Sequence, residues 1–223
     1  EGQFLQGTGY SSDVLLKDIQ SASSISVRGV DSRRYNYQSV FGRVNYNIDQ
    51  KYLLNLTFRR DGSSRFGPGK RFGNFGAVGA GWIFTNENFV KDALSFLSYG
   101  KIRGSYGSTG NDQIGDYQFL DTWGSTSFPY AGSPGLNPTR VYNPDYSWEI
   151  NKKLEAAIEL GFIDNRLLLV ANYYNNRSSN QLIGYTLSSQ SGFTSYTANL
   201  PATVENSGWE FDIQSTNIQS KDF

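Results

Sequence analysis

The sequence contains no cysteine and no histidine among its 223 residues. Without cysteine there are no disulfides and no thiolate metal ligands, which suits a bacterial protein that faces the periplasm. Without histidine, the commonest general base and every Ser-His or Cys-His nucleophile arrangement are missing. The composition therefore predicts no metal and no cofactor, and it leaves only carboxylates, tyrosine and lysine for any catalysis.

Long apolar runs and an excess of either charge are absent as well. No stretch of eighteen apolar residues occurs, so the sequence predicts no transmembrane helix. Lys+Arg and Asp+Glu balance at 20 each, and this balance predicts no nucleic-acid partner. The chain instead has 24 glycines, 15 tyrosines and 15 phenylalanines, which is typical of a β-rich protein with many turns. If it meets a membrane, it does so as strands of a closed barrel, because only then is every backbone group satisfied in lipid.

Alternation of apolar and polar residues predicts an antiparallel hairpin in residues 39–67. Val44 and Tyr46 share one face of the first strand, and Arg43 and Asn45 share the other. Successive side chains of a strand leave opposite faces, so this period of two predicts strands. The intervening residues 49–51 leave room only for a tight turn.

The same pattern predicts further strands and separates short connections from long ones. Strands are predicted at 74–84, 99–107, 148–162, 166–177 and 208–218, and short helical segments at 13–19 and 85–98. Short turns are predicted at 49–51 and 163–165, and long loops at 62–73, 108–147 and 178–207. The strands of about ten residues are long enough to cross a bilayer at a tilt.

Two architectures explain these strands. A soluble secreted β-sandwich that binds carbohydrate would place the apolar faces inward, whereas a membrane barrel would turn them to lipid and enclose a wet lumen. The sorting of short turns to one rim and long loops to the other favours the barrel. The connection at 85–98 counts against this pattern, because it falls on the short-turn rim and is longer than a turn. The readable apolar faces also carry no charge near their middle, where Arg or Lys would cost about 2–4 kcal/mol in lipid.

Several multi-residue motifs add a resemblance to this pattern. In chain order they are RDGSSRF (60–66), GSYG (104–107) with Gly110 and Asn111, Trp148-Glu149, and the Asn206, Gly208 and Trp209 of NSGW. In this order they resemble the barrel region of the SusC/RagA family of TonB-dependent outer-membrane transporters. The motif residues are Arg60, Asp61, Gly62, Ser63, Ser64, Arg65, Phe66, Gly104, Ser105, Tyr106, Gly107, Gly110, Asn111, Trp148, Glu149, Asn206, Gly208 and Trp209.

The resemblance implies an all-β fold: an antiparallel transmembrane β-barrel segment with about seven strands of a barrel of the twenty-two-stranded kind. It implies short periplasmic turns, long extracellular loops and a place in the bacterial outer membrane. Residues 1–38 are expected to form an extracellular loop region and residues 39–223 a partial barrel. The chain begins at Glu1 without a methionine, so we expect an internal piece of a longer polypeptide, with plug, TonB-contacting segment and signal peptide outside it.

Family members import oligosaccharides or peptides, draw energy from the TonB complex and work beneath a SusD-like surface lipoprotein. The resemblance therefore implies an importer, not an enzyme, whose partners are that lipoprotein, the TonB complex, its substrate and outer-membrane lipid. No family motif includes the aromatic residues of the longest loop. Because aromatic faces stack on sugar rings, we expect contacts to substrate or lid from Tyr117, Trp123, Tyr130 and Tyr142.

Charged clusters offer weaker candidates. The glycine-rich segment around Asp61 and Arg65 lacks phosphate-loop spacing, so an ordered loop held by Asp-Arg pairing is the better interpretation. Glu155 and Glu159 are four residues apart on a strand, about 13 Å, which is too far for a glycosidase pair. They are interpreted as charges of the lumen wall. Glu205, Glu210 and Asp212 are carboxylates near one another in sequence, and nothing in the sequence makes them converge on a cation.

Overall fold

The computed structural model describes residues 2–126, 128–133 and 135–218. The chain divides into two compact units between Asn36 and Tyr37. In the first unit, β1 (Gly2–Thr8) pairs antiparallel with β2 (Ser24–Asp31), and two 3-10 turns, Asp13–Lys17 and Ile19–Ser21, lie between them. The predicted helical segment at 13–19 is therefore present as 3-10 turns, and its first turn is capped by Ser12, whose Oγ accepts a hydrogen bond from the Val14 amide at 3.4 Å.

The second unit contains one seven-stranded antiparallel sheet in the order β11-β10-β9-β6-β5-β4-β3. Its strands are β3 (Tyr37–Ile48), β4 (Tyr52–Ser63), β5 (Phe72–Trp82), β6 (Leu97–Asn111), β9 (Glu149–Phe162), β10 (Leu167–Thr186) and β11 (Ser195–Ser215). In the sequence, a small hairpin of β7 (Thr122–Ser125) and β8 (Leu136–Arg140) separates β6 from β9, and it forms a sheet of its own. Consecutive strands of the sheet are neighbours, and the sheet is open, with β3 and β11 at its edges.

Both predicted short turns are tight because consecutive residues adopt left-handed backbone angles. Asp49 and Gln50 have φ of 51° and 54°, and Ile163, Asp164 and Asn165 have φ of 54°, 51° and 62°. Asp and Asn tolerate this region better than most residues, and turns of this hand match the twist of the flanking strands. Asp49, Asp164 and Asn165 therefore suit these turns, whereas Ile163 adopts an angle that is unusual for a β-branched residue.

The connection between β5 and β6 lies on the same rim as the short turns. It consists of a 3-10 turn, Phe84–Asn86, and the six-residue helix α1, Asn88–Ala93. This confirms the helical segment predicted within 85–98. Phe84 and Val90 are buried there. Within the described ranges, no helix is both long and apolar enough to cross a membrane.

Two loop predictions are wrong. The long loop predicted at 178–207 is mostly strand, because β10 continues to Thr186 and β11 begins at Ser195, so only residues 187–194 connect them. These extensions are rich in Asn, Ser and Thr on both faces, so they lack the alternation that a half-buried strand shows. The loop predicted at 108–147 is also shorter, because β6 continues to Asn111 and β7 and β8 form a hairpin within it.

Candidate functional site

The sheet has one polar face whose side chains pair with one another across strands. The Arg103 Nε donates to Glu159 Oε1 at 2.7 Å, the Lys101 Nζ lies 3.5 Å from the same oxygen, and Arg103 Nη1 lies 3.9 Å from Glu155 Oε2. On the first strands, the Asn55 amide donates to Asn45 Oδ1 at 2.7 Å. Glu155 and Glu159 are therefore held by cations along the polar face and do not form a free acid pair. Their place on a lumen wall stays a prediction.

The opposite, apolar face is continuous across all seven strands. One row of directly paired residues runs through Ile48, Tyr52, Trp82, Ile102, Ile158, Ala171 and Phe211. The next row runs through Tyr46, Leu54, Ala80, Gly104, Ala156, Tyr173 and Trp209. Neither row contains a charged side chain, so this face is suited to hydrocarbon.

The apolar face is exposed, which rules out the sandwich. Leu154 and Ile158 are 43% and 38% exposed, and Phe211 and Ile213 are 74% and 72% exposed. In a sandwich these side chains would meet a second sheet in a dry interior. A face of this size left open on seven strands is instead the expected arrangement for a wall that borders lipid.

The loop-side border of the apolar face is inclined to the strands. Tyr46 on β3 and Trp209 on β11 share one row, yet the apolar face ends at Trp209 on β11 and continues six residues further, to Val40, on β3. At about 3.3 Å per residue and about 4.8 Å per strand spacing, this drift corresponds to a strand tilt of about 35°. Strands of transmembrane barrels tilt by about this angle.

A cluster of buried aromatic residues joins three loop-side segments of the second unit. We call this cluster the loop anchor; it consists of Phe66, Phe75, Phe119, Tyr146 and Trp148. Phe66 follows β4, Phe75 lies on β5, Phe119 lies in the long connection after β6, and Tyr146 and Trp148 precede β9. Ring centroids of Phe66 and Trp148 are 4.8 Å apart, and those of Phe75 and Trp148 are 5.5 Å apart.

The glycine at position 110 explains part of the family motif. A Cβ added at Gly110 would lie 2.1 Å from the Phe75 ring, so any larger residue would displace the ring. Gly73 similarly leaves space for Phe75 and Trp148. These glycines allow the aromatic rings to lie directly on the sheet, and they make the loop anchor possible.

Hydrogen bonds fix the segments that surround the loop anchor. Asn111 Nδ2 donates to Glu149 Oε2 at 2.6 Å, and the other Glu149 oxygen accepts from the Leu182 amide at 2.9 Å. The Trp148 indole donates to the Arg71 carbonyl at 3.1 Å. Asn111 and Glu149, two motif residues far apart in sequence, are thus brought into contact and join β6, β9 and β10.

Ion pairs hold the RDGSSRF segment, with partners that the sequence did not identify. Asp61 is buried and pairs with Arg59 at 2.6 Å, while the Arg65 Nε donates to Asp116 Oδ1 at 2.9 Å and its Nη1 donates to the Asp112 carbonyl at 2.7 Å. The expected Asp-Arg pairing therefore exists, and it ties the segment to the long connection after β6. No phosphate cradle is formed, since Arg65 points to carboxylate and carbonyl oxygens.

Burial changes the ionisation of Tyr146. The side chain is 1% exposed, and desolvation raises the pKa of its phenol from 10.0 to about 12, with a smaller contribution in the same direction from the nearby Glu149 charge. An uncharged phenol is favoured because a phenolate would lose its hydration in the cluster. The loop anchor is therefore apolar in its interior although it lies among polar loops.

The aromatic residues predicted to contact substrate or lid lie outside the loop anchor. Tyr117, Trp123, Tyr130 and Tyr142 are all exposed, from 37% for Tyr117 to 89% for Tyr130. Trp123 lies on β7 and donates its indole hydrogen to Asp121 Oδ2 at 3.0 Å. Their exposure leaves the predicted contacts available, and the role of these four residues remains a prediction.

The remaining motif residues are distributed over both faces. Gly104, Tyr106, Gly208 and Trp209 lie on the sheet, where Trp209 belongs to the apolar face and packs beside Tyr173 at 5.2 Å between ring centroids. Glu205 lies on the same face as Trp209, whereas Glu210 and Asp212 lie on the polar face. These three carboxylates do not converge, so they form no cation site.

Sequence reasoning did not identify Phe66, Phe75, Phe119 and Tyr146 as one cluster. Three of these aromatics lie in loops and Phe75 lies at the glycine-rich start of β5, so no periodic pattern in the sequence connects them. The one available signal was the glycine density around them, because glycines beside aromatics mark a close approach.

The sheet is tilted, one of its faces is apolar and exposed, and the other is polar. Two tight turns and a short helical connection lie on one rim, and the loop anchor lies on the other. These features define a section of transmembrane β-barrel wall. The family model "TonB dependent receptor-like, beta-barrel" matches residues 1–220. The chain belongs to this family, and TonB-dependent receptors of the SusC/RagA kind are outer-membrane transport proteins. The predicted fold class and localisation are thereby confirmed.

Individual relatives support the same assignment. The chain is 37% identical to TonB-dependent receptor P3 of Formosa agariphila over 188 residues, which is 83% of this chain and 18% of that protein. It is 32% identical to TonB-dependent receptor SusC of Bacteroides thetaiotaomicron over 201 residues, which is 83% of this chain and 19% of SusC. The chain thus spans about a fifth of the length of the curated relatives it matches.

Solved structures agree with the fold. The RagAB peptide importer in its closed-closed state superposes with a TM-score of 0.79 at 29% identity, over 96% of this chain and 23% of that one. The siderophore receptor PirA from Pseudomonas aeruginosa superposes with a TM-score of 0.53 at 13% identity, over 80% of this chain and 31% of that one. The likeness to PirA concerns the fold alone.

Proposed function

We propose that this chain is part of the barrel wall of an active importer that moves oligosaccharides, or alternatively peptides, across the outer membrane. The observation that carries the proposal is the division of one sheet into two faces. One face is exposed and apolar, with two uncharged rows across all seven strands, and on the other face Lys101 and Arg103 pair with Glu155 and Glu159. A wall of this kind separates lipid from a wet passage. Its contribution is to line the route, while the energy for transport comes from elsewhere in the system.

The substrate proposal is supported by two relatives. SusC is 32% identical to this chain, and the RagAB structure, which is described as that of a peptide importer, is 29% identical. The exposed rings of Trp123 and Tyr130 are suited to stacking on sugars and to packing on peptide side chains. We therefore propose an oligomeric nutrient as the cargo, with these rings among its contacts or those of a lid.

The partner proposal follows from the same family. We propose that a SusD-like surface lipoprotein closes over the long loops and that the TonB complex energises the receptor through parts of the protein outside these residues. We also propose that residues 1–38 belong to the extracellular side. The hydrogen-bonded loop anchor supports this arrangement, because a lid needs loops of fixed shape beneath it.

We propose no catalytic role for this chain. Glu155 and Glu159 both contact Arg103, so neither carboxylate is disposed to act as a general acid. Release of reducing ends from mixed polysaccharides by purified receptor would contradict this proposal.

Uptake by cells tests the proposed function. The gene for the full-length receptor is deleted, and uptake of labelled oligosaccharides and of labelled peptides is compared with that in the parent strain, with and without a functional TonB. We expect loss of one substrate class on deletion and the same loss without TonB. Unchanged uptake of both classes, or recovery of the receptor in the soluble periplasm rather than in heat-modifiable outer-membrane form, would contradict the proposal.

A further inference from the structure

Three cations lie along the loop-side border of the apolar face: Arg60, Lys152 and Arg177. Arg60 is 5.1 Å from the centre of the Phe72 ring and donates to Asn74 at 3.4 Å. Arg177 pairs with Glu205 at 3.2 Å. Lys152 is exposed and, in the part of the chain that the structure describes, forms no ion pair.

Lys152 and Arg177 lie directly opposite each other on β9 and β10. Like charges in such cross-strand pairs repel and destabilise a sheet. Glu205 offsets one of the two charges, and it also accepts a hydrogen bond from Asn175. The group of Lys152, Arg177 and Glu205 therefore keeps a net charge of about +1, with a lysine that an external anion would neutralise.

A pocket of about 410 Å³ is lined by Lys152 and Arg177, and all of its lining residues lie on the apolar-face side of the sheet. Its lower wall is formed by Leu154 and the rings of Tyr106 and Tyr173, and its upper part by Lys152 and Arg177. Tyrosine rings are enriched at the level where hydrocarbon meets headgroups. The pocket thus spans that boundary on the extracellular side of the membrane.

We infer that this pocket binds a phosphate on the headgroup of an anionic glycolipid in the outer leaflet. Lys152 and Arg177 contact the phosphate oxygens by charge-assisted hydrogen bonds, and the acyl chains lie along Leu154 and the apolar face below it. A lipid is favoured over free phosphate because the pocket opens onto the lipid-facing side and is continuous with that face. This inference depends on membrane embedding and is independent of the imported substrate.

Native mass spectrometry of the full-length receptor tests the inference. The receptor in detergent is incubated with a phosphorylated lipid A and, separately, with the same lipid after removal of its phosphate. Because one cation near an anionic lipid surface contributes roughly a fivefold change in affinity, we expect Lys152→Gln to weaken retention of the phosphorylated lipid about fivefold. The matched control is Lys153→Gln, which removes the adjacent lysine on the polar face and is expected to leave retention unchanged.

Three results would overturn the inference. They are equal losses for Lys152→Gln and Lys153→Gln, equal retention of phosphorylated and dephosphorylated lipid by the unaltered receptor, and displacement of the lipid by an equal concentration of inorganic phosphate. Heat-modifiable migration of each variant verifies that the barrel is folded before lipid retention is compared.

Discussion

The pKa of the Tyr146 hydroxyl depends on the packing of the loop anchor. Its phenol is enclosed by Phe66 and by the other rings of the cluster, so ionisation requires either a buried charge or an opening of the cluster. The pKa is therefore raised from 10.0 to about 12 in the folded protein. The chemistry of this one side chain is coupled to the packing of three loop segments.

We predict that alkaline pH weakens the loop anchor through Tyr146. A group whose folded pKa lies above its unfolded value contributes stability that is fully present below the unfolded pKa and is lost as pH rises through the folded pKa. For Tyr146 this loss falls between pH 10 and about pH 12. Limited proteolysis of the loops of the full-length receptor across this range measures it.

The control for this prediction is a pair of tyrosine substitutions. Tyr146→Phe removes the buried hydroxyl, so its loops should lose less protection between pH 10 and pH 12 than those of the unaltered receptor. Tyr130→Phe removes a hydroxyl from a side chain that is 89% exposed and should follow the unaltered receptor. Identical alkaline profiles for all three proteins would show that Tyr146 does not govern this transition.

A second prediction distinguishes the two faces of the sheet. Ile158→Arg puts a charge into the uncharged row that begins at Ile48, and we expect it to lower the stability of the inserted barrel by about 2–4 kcal/mol. Ser105→Arg puts the same side chain on the polar face, directly opposite Glu155, and should insert normally. The heat-modifiable fraction in outer membranes measures both variants, and equal defects would contradict the assignment of the faces.

Among the strands, the accuracy of sequence reasoning depends on where each strand lies relative to the apolar face. β3, β4 and β9 alternate apolar and polar residues over most of their length because one face meets hydrocarbon and the other water. Beyond Arg177, β10 extends past the apolar face, and both of its sides carry polar residues. The alternation of apolar and polar residues therefore disappears there. For this reason the sequence predicts a loop at residues 178–186, where the structure has a strand.

Prediction of the loop anchor requires tertiary contacts that a single sequence does not show. Tertiary pairing of Asn111 with Glu149 and of Arg65 with Asp116 joins residues that are 38 and 51 positions apart. The motifs identified these segments as family features, and the structure gives them a physical role in holding the loops. Aromatic residues without periodicity could not be assigned to core or surface by pattern alone.

We predict that the glycine in the GN motif is required for loop packing. Gly110→Ala would place a Cβ 2.1 Å from the Phe75 ring, and displacement of the ring should lower the free energy of unfolding by about 1–3 kcal/mol. Gly184→Ala serves as the control, because no atom lies within 4 Å of a Cβ at that strand position. Thermal unfolding of the full-length receptor in detergent measures both variants, and an equal shift would contradict a steric role for Gly110.

The proposed function requires fixed loops and accessible contact residues at the same rim of the receptor. The described residues provide both: the loop anchor is buried, and Trp123 and Tyr130 are exposed on a separate hairpin and turn. We therefore expect changes at Trp123 or Tyr130 to leave the packing of the loop anchor intact.

The exposed aromatics therefore give a prediction about transport. Trp123→Ala should remove a stacking surface from the rim. Aromatic contact residues commonly contribute more than about 1 kcal/mol to binding. We therefore expect the KM for uptake to rise roughly fivefold and the maximal rate per receptor to stay unchanged. Trp123→Phe retains a ring and should preserve most of the affinity. Phe119→Ala disrupts the loop anchor instead, so it should lower the number of intact receptors at the cell surface and leave KM unchanged. An unchanged KM for Trp123→Ala, together with weaker capture of the surface lipoprotein, would assign this residue to the lid and not to the cargo.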